Sequence, residues 1–365
     1  MTGNDHDLPG LRTYASACPP VTPTAQASRL VEIDSLRGLA AIWVVVFHFS
    51  FGVRYFWFKD DPTPAALVTP FSVNIQGLLG VDLFFLISGF VIFMTLERSA
   101  TVSAFVVSRF SRLFPTYWAC LALTTAAIFL LPVTVQSVTL PQIAASATML
   151  NAFMGFEPVE TVYWSLSFEI AFYTLMICVF AAKALERIEI LGGIWLALST
   201  LSYALFPSIG AMIPWRIQLI AILPYVPLFF AGVLLYRIRS RGWTVPRAAL
   251  LLACFLSRLA SFRYPPMIVG TIAIFAIFAA ASLGWAPVLR WRPLLFLGGI
   301  SYPLYLVHNT IGFRIQSAMV MQLGASAFAG FAIALCGVTA LAWAISVLIE
   351  RPAQTYLRAV YRRMT

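Results

Sequence analysis

The sequence predicts an all-α membrane protein, a bundle of about ten transmembrane helices with both termini in the cytoplasm. Three observations carry that expectation. Hydrophobic residues fill 61% of the 365 positions and charged residues only 10%, with a mean hydropathy of +0.87. Soluble domains carry roughly 25% charged residues, so too few are present here to cover a water-facing surface. Apolar runs near the ~20 residues needed to cross a bilayer recur along the chain, and in lipid only a helix satisfies its own backbone. Basic residues fall mainly in alternate connections, as the positive-inside rule expects.

Residues 1–28 are polar and rich in Pro, Thr, Ser and Ala, and read as a flexible cytoplasmic tail with no signal-peptide pattern. The transmembrane domain is expected over 29–352, followed by a basic cytoplasmic tail over 353–365. The first two spans are expected at about Leu36–Tyr55 and Ile75–Leu96. Residues 98–112 have apolar positions at helical spacing and read as a surface segment leading into a third span at about Leu113–Leu131. A longer polar connection, Pro132–Val162, precedes a fourth span at about Tyr163–Ala182. Spans five to eight are expected near Ile190–Phe206, Ile217–Tyr236, Ala248–Ser261 and Met267–Leu283. The ninth and tenth follow at about Leu294–Met319 and Ala327–Ile349.

The net charge of +10 is spread between apolar runs, where it orients a membrane protein; no nucleic-acid partner is expected. The five cysteines, Cys18, Cys120, Cys178, Cys254 and Cys336, show no paired spacing, so neither a disulfide framework nor a metal site is expected.

Several polar groups sit where lipid should exclude them. His48 lies eleven positions after Arg37 in the first span, roughly 16 Å along a helix. It reads either as a hydrogen-bonding group between helices or as a proton acceptor, since an imidazole titrates near neutral pH. Asp82, in GVDLFF, reads as half of a structural salt bridge to an arginine such as Arg37, or as a functional carboxylate. Arg109 and Arg112 share a helix face, three positions apart. They suit lipid phosphates or a phosphorylated cytosolic donor, because guanidinium forks match phosphate oxygens. Glu169 lies inside the fourth span after Trp164, Ser165 and Ser167, and function and structural pairing weigh equally for it. Trp164 suits the aromatic belt. In the ninth span Pro303 frees backbone carbonyls, and His308 reads as an interhelix hydrogen bond or a second site residue.

These motifs resemble the acyltransferase 3 family of integral-membrane O-acyltransferases. Arg37 and His48 match the family's first-helix pair, and GVDLFFLISGF its second-helix signature. Arg109 and Arg112 in RFSRLFP match its arginine pair, and Trp164, Ser165, Leu166 and Glu169 its tryptophan–serine–leucine–glutamate element. SYPLYLVH and ERP match its C-terminal elements, with Tyr302, Tyr305, His308, Glu350 and Pro352. The resemblance spans about Leu30 to Pro352. It implies transfer of an acyl group, usually acetyl from acetyl-CoA, to a hydroxyl of a carbohydrate or glycosylated acceptor such as O-antigen or exopolysaccharide. Acyl-CoA is then a co-substrate, no bound cofactor is expected, and the setting is a bacterial inner membrane. In this reading His48 is the base or acyl carrier, Asp82 or Glu169 orients it, and Arg37, Arg109 and Arg112 hold the donor. Trp164, Ser165, Tyr305 and His308 serve the acceptor side or the structure. The family's extracytoplasmic esterase-like domain is not expected here. The rival readings are a proton-coupled secondary transporter and an inert polysaccharide-export partner.

Overall fold

The computed structural model describes residues 30–53, 57, 66–70, 77–131 and 137–364. The expected tail over residues 1–28 lies outside them. Every regular element among the described residues is helical. In chain order these are α1 (Val31–Phe49), α2 (Gly77–Glu97), α3 (Val102–Leu130), α4 (Leu140–Ala147) and α5 (Trp164–Ala181). Then come α6 (Ile188–Thr200), α7 (Trp215–Ile220), α8 (Val226–Arg241), α9 (Val245–Ala260) and α10 (Pro265–Leu283). The chain closes with α11 (Arg292–Ser317), α12 (Ala327–Ile345) and α13 (Arg351–Met364), and short helical turns link several of them. Six helical stretches are long and apolar enough to cross a membrane, in keeping with a multi-pass integral membrane protein. They are Gly77–Glu97, Val102–Leu130, Thr161–Ala181, Pro265–Leu283, Arg292–Gln322 and Ala327–Met364.

Four helices make the centre: α1 packs on α11 and α2, and α2 packs on α8. Helix α8 is buried on every side from Val226 to Ile238, as a helix apolar all round must be. Backbone-to-backbone approach fixes both main contacts. A Cβ on Gly89 would lie 2.0 Å from the Phe229 carbonyl oxygen, and one on Gly232 would lie 2.1 Å from that of Leu86. These small residues let α2 and α8 touch through backbone, a standard device in membranes where lipid removes any hydrophobic drive between helices. On the other flank a Cβ on Gly298 would lie 2.1 Å from the Asp34 carbonyl oxygen, which holds α11 against α1.

The structure departs from the sequence expectations in three places. The segment over 98–112 is not a separate surface piece; from Val102 it belongs to α3, a helix of 29 residues that tolerates Pro115 inside it. Thr101 caps it by accepting from the Ala104 N–H at 3.2 Å. Arg109 and Arg112 therefore ride on a core helix. The expected sixth span breaks between α7 and α8, where Ile222 takes a left-handed φ of +43°. The backbone oxygens at the break are not abandoned: Trp195 Nε1 donates to Ala221 at 2.7 Å and Ser199 Oγ to Leu223 at 2.7 Å, both from α6. Finally, residues 353–364, expected as a tail, form most of α13, which packs on α3.

Pro303 leaves α11 continuous. The carbonyl it deprives of a donor belongs to Gly299, four residues earlier, and Ser346 Oγ donates to it at 3.4 Å. Ion pairs gather at the C-terminal ends of α2 and α8. Arg237 lies 3.0 Å and Arg241 3.2 Å from Glu97 Oε1. Hydrogen bonds from Arg241 also hold the exposed Glu186 carboxyl below its ordinary range.

Candidate active site

The two span histidines meet. His48 on α1 and His308 on α11 pack edge to face with ring centroids 4.8 Å apart, and His308 Nε2 lies 3.3 Å from His48 Nδ1. Each Nδ1 also faces a backbone oxygen at 2.8 Å, that of Val44 for His48 and that of Tyr305 for His308. A neutral imidazole puts its proton on the nitrogen that faces an acceptor. The hydrogen-bonding pattern therefore assigns Nδ1–H to both rings. His48 shares its proton between Val44 and the lone pair of His308 Nε2, which makes its own Nε2 the basic nitrogen.

A buried carboxylate that sequence reasoning missed supports this pair. Glu160 accepts from Asn309 Nδ2 at 2.7 Å and from the Thr310 backbone N–H at 2.9 Å. Three residues on, Tyr163 donates to the Leu306 carbonyl at 3.2 Å. The chain at 160–163 thus grips α11 on both sides of His308. The sequence signal was there in Asn309, a second polar group beside His308, but Glu160 sat in a segment read as a polar connection.

Two cavities lie at the site, and His48 lines one of them. A wider one of about 450 Å³ is lined by His48, Phe47, Phe51, Gly77 and Trp164, among others. A narrow crevice of about 70 Å³ is lined by Arg37, Arg109, Arg112, Ser88, Ser165 and Glu169, with several apolar and tyrosine side chains. Val81 and Tyr305 line both, so they form the partition. The same axial order repeats on four helices. On α1 the crevice has Arg37 and the wider cavity His48; on α2 the order runs from Ser88 to Gly77. On α5 and its leading turn it runs from Glu169 to Thr161, and on α11 it runs from Ser301 to Tyr305. Tyr305 is fixed in place by donating to the Val162 carbonyl at 2.8 Å and by a 2.7 Å bond with Ser165 Oγ.

The crevice holds three guanidiniums against one carboxylate. Arg109 is almost fully buried; it donates to Thr95 Oγ1 and stacks over Phe105, yet its Nε has no hydrogen-bond partner among the described residues. Neither Arg109 nor Arg112 has an ion pair with a carboxylate among the described residues. Glu169 Oε1 accepts from Tyr173 at 2.6 Å and Ser88 at 3.3 Å. A cation-rich slot with an unsatisfied guanidinium N–H is built for an anion.

The structural salt bridge expected at Asp82 is present, with a partner other than the suggested Arg37. Asp82 does not pair with Arg37. It pairs with Arg258 on α9, through Nη2 at 2.6 and 2.7 Å and Nε at 3.0 Å. This bidentate pair is buried, with side-chain exposures of 1% and 8%, and Phe262 and Tyr225 cover the guanidinium. Asp82 lines neither cavity. Asp82 and Glu169, the carboxylates expected to orient the His48 imidazole, bond elsewhere, and the ring faces the Val44 carbonyl oxygen and His308. Of the expected site residues, the structure gathers Arg37, Arg109, Arg112, Ser165 and Glu169 around the crevice. It gathers His48, His308, Trp164 and Tyr305 around or beside the wider cavity. Arg258 is the other residue missed, although an arginine in an apolar run carries the same signal as Asp82.

The family profile described as an acyltransferase domain matches residues 30–347. The chain is 28% identical to an exopolysaccharide production protein, ExoZ, of Rhizobium meliloti (strain 1021), over 79% of this chain and 92% of that one. It is 25% identical to the acyltransferase MdmB of Streptomyces mycarofaciens, over 90% of this chain and 92% of that one. No solved structure matches. The profile covers α1 through α12 and so takes in both cavities and the histidine pair: the chain belongs to this acyltransferase family and is an O-acyltransferase.

Proposed function

We propose that the protein moves an acyl group, acetyl by expectation, from cytosolic acyl-CoA to a hydroxyl of a carbohydrate or glycosylated acceptor. One observation carries the reading: a cationic crevice and a histidine-lined cavity lie end to end, with Val81 and Tyr305 lining both. The donor's phosphates bind Arg37, Arg109 and Arg112, and its thin pantetheine arm passes the partition so that the thioester reaches His48. The acceptor enters the wider cavity, where Trp164 offers a face for a sugar ring. His48 Nε2 takes the acceptor's hydroxyl proton as its oxygen bonds to the thioester carbonyl carbon. The carbon–sulfur bond then breaks, and the imidazolium returns the proton to the leaving thiolate. His308 keeps the base in its productive tautomer, and Glu160 positions His308.

The domain over 29–352 is the catalytic unit, with ten spans in a bacterial inner membrane and both termini cytoplasmic. The arginine-rich helix ends gathered at the crevice side support that orientation. The similarity to an exopolysaccharide production protein supports a polysaccharide acceptor.

Replacing both Arg109 and Arg112 by Gln tests the donor assignment. Each charge-assisted contact is worth about 1.5–3 kcal/mol, so the KM for acyl-CoA should rise about 100-fold or more while the KM for the glycan stays level. Steady-state assays in liposomes read both. Substrate flux with no acylated product would favour a transporter instead.

A further inference from the structure

Helix α13 carries four arginines, Arg351, Arg358, Arg362 and Arg363, and no acidic residue. It lies on α3, tied there by Tyr361, whose hydroxyl is 2.8 Å from Ser103 Oγ and 3.5 Å from Thr101 Oγ1. One turn before Tyr361, Arg358 comes within electrostatic reach of Arg109, Arg112 and Arg362. Arg358 and Arg362 are themselves a like-charge pair four apart, which weakens a helix. The acids near this cluster are Glu169 in the crevice and Glu350 near Arg112. No ion pair to Arg358 or Arg362 exists among the described residues. Cations gathered on one face favour a multivalent anion between them, and the buried Nε of Arg109, without a partner among the described residues, points the same way.

We propose that α13 forms the outer wall of the donor site, with Arg358 and Arg362 holding the 3′-phosphate of the nucleotide end of acyl-CoA. This rests on the donor reading above and deepens it. The assignment follows from order along the ligand. The thioester lies innermost, the pantetheine arm follows, the pyrophosphate meets Arg109 and Arg112 on the core helix, and the 3′-phosphorylated ribose comes last. Phosphate is also the chemistry of a lipid headgroup, so the test separates the two sources.

The full-length protein in phosphatidylcholine nanodiscs is titrated with CoA and with 3′-dephospho-CoA. The wild type should bind CoA about tenfold more tightly, the worth of a charge-assisted phosphate contact. Arg358→Gln should lose that preference and keep its affinity for 3′-dephospho-CoA, which also shows that the variant is folded. An unchanged preference in Arg358→Gln overturns the proposal and leaves the donor reading standing. So does a wild type that binds both ligands equally. A preference seen only with phosphatidylglycerol present, or a variant altered only in its binding to phosphatidylglycerol vesicles, assigns Arg358 to lipid and overturns it too. A wild type that binds neither nucleotide overturns the donor reading and the proposal with it.

Discussion

His48→Ala protein, purified and reconstituted in liposomes with acyl-CoA and the glycan acceptor, should transfer acyl groups about 10²–10⁴-fold more slowly than wild type. Its affinity for acyl-CoA should hold, because the proposed phosphate site is in the crevice, whereas His48 lines the other cavity. That split distinguishes loss of a base from loss of a binding residue. The tautomer is set by hydrogen bonds to groups other than Asp82 and Glu169. Val44 holds Nδ1–H from its own helix, and His308 receives the same proton from α11. Transfer at the wild-type rate would remove His48 from the chemistry.

Asp82→Ala should cost about 3–5 kcal/mol of stability, since it leaves the Arg258 guanidinium buried and uncompensated. The effect should appear as a large fall in the thermal midpoint of the detergent-purified protein. The double replacement Asp82→Leu with Arg258→Met removes both charges and should recover the midpoint, because apolar replacements of buried pairs are neutral or stabilising. It should also retain acyl transfer, as neither residue lines a cavity. A single variant that folds like wild type yet loses transfer would give Asp82 the catalytic role suggested by its place in GVDLFF.

That pair shows where sequence reading ends. Composition and run length led to the helices, because lipid imposes the same demand on every span: apolar side chains outside and internal hydrogen bonds. Each expected span overlaps a helix, six helical stretches are long and apolar enough to cross a membrane, and Gly89 of the second span sits where α2 and α8 touch. The partners of buried charges were not legible. Asp82 and Arg258 stand 176 positions apart, and Glu160 and Asn309 stand 149 apart. No local pattern links such positions; only the reach of the Arg258 side chain from α9 to α2, or the packing of the 160–163 turn on α11, does. The break at Ile222 was hidden for a related reason. Its backbone oxygens are rescued by Trp195 and Ser199, which belong to another helix. Residues that gather at the cavities were easier to single out when their chemistry conflicts with lipid, as for His48, His308 and Arg109. Tyr305 showed no such conflict and was visible only through the family resemblance, yet it forms half of the partition.

The arrangement of donor and base is tested most directly by cryo-electron microscopy of the protein in nanodiscs with a non-hydrolysable acyl-CoA analogue. The expected density has the nucleotide phosphates at Arg109 and Arg112, the arm passing between Val81 and Tyr305, and the acyl carbonyl beside His48 Nε2. A nucleotide bound on the His48 side, or an arm that stays in the crevice with the acyl group far from His48, would contradict it.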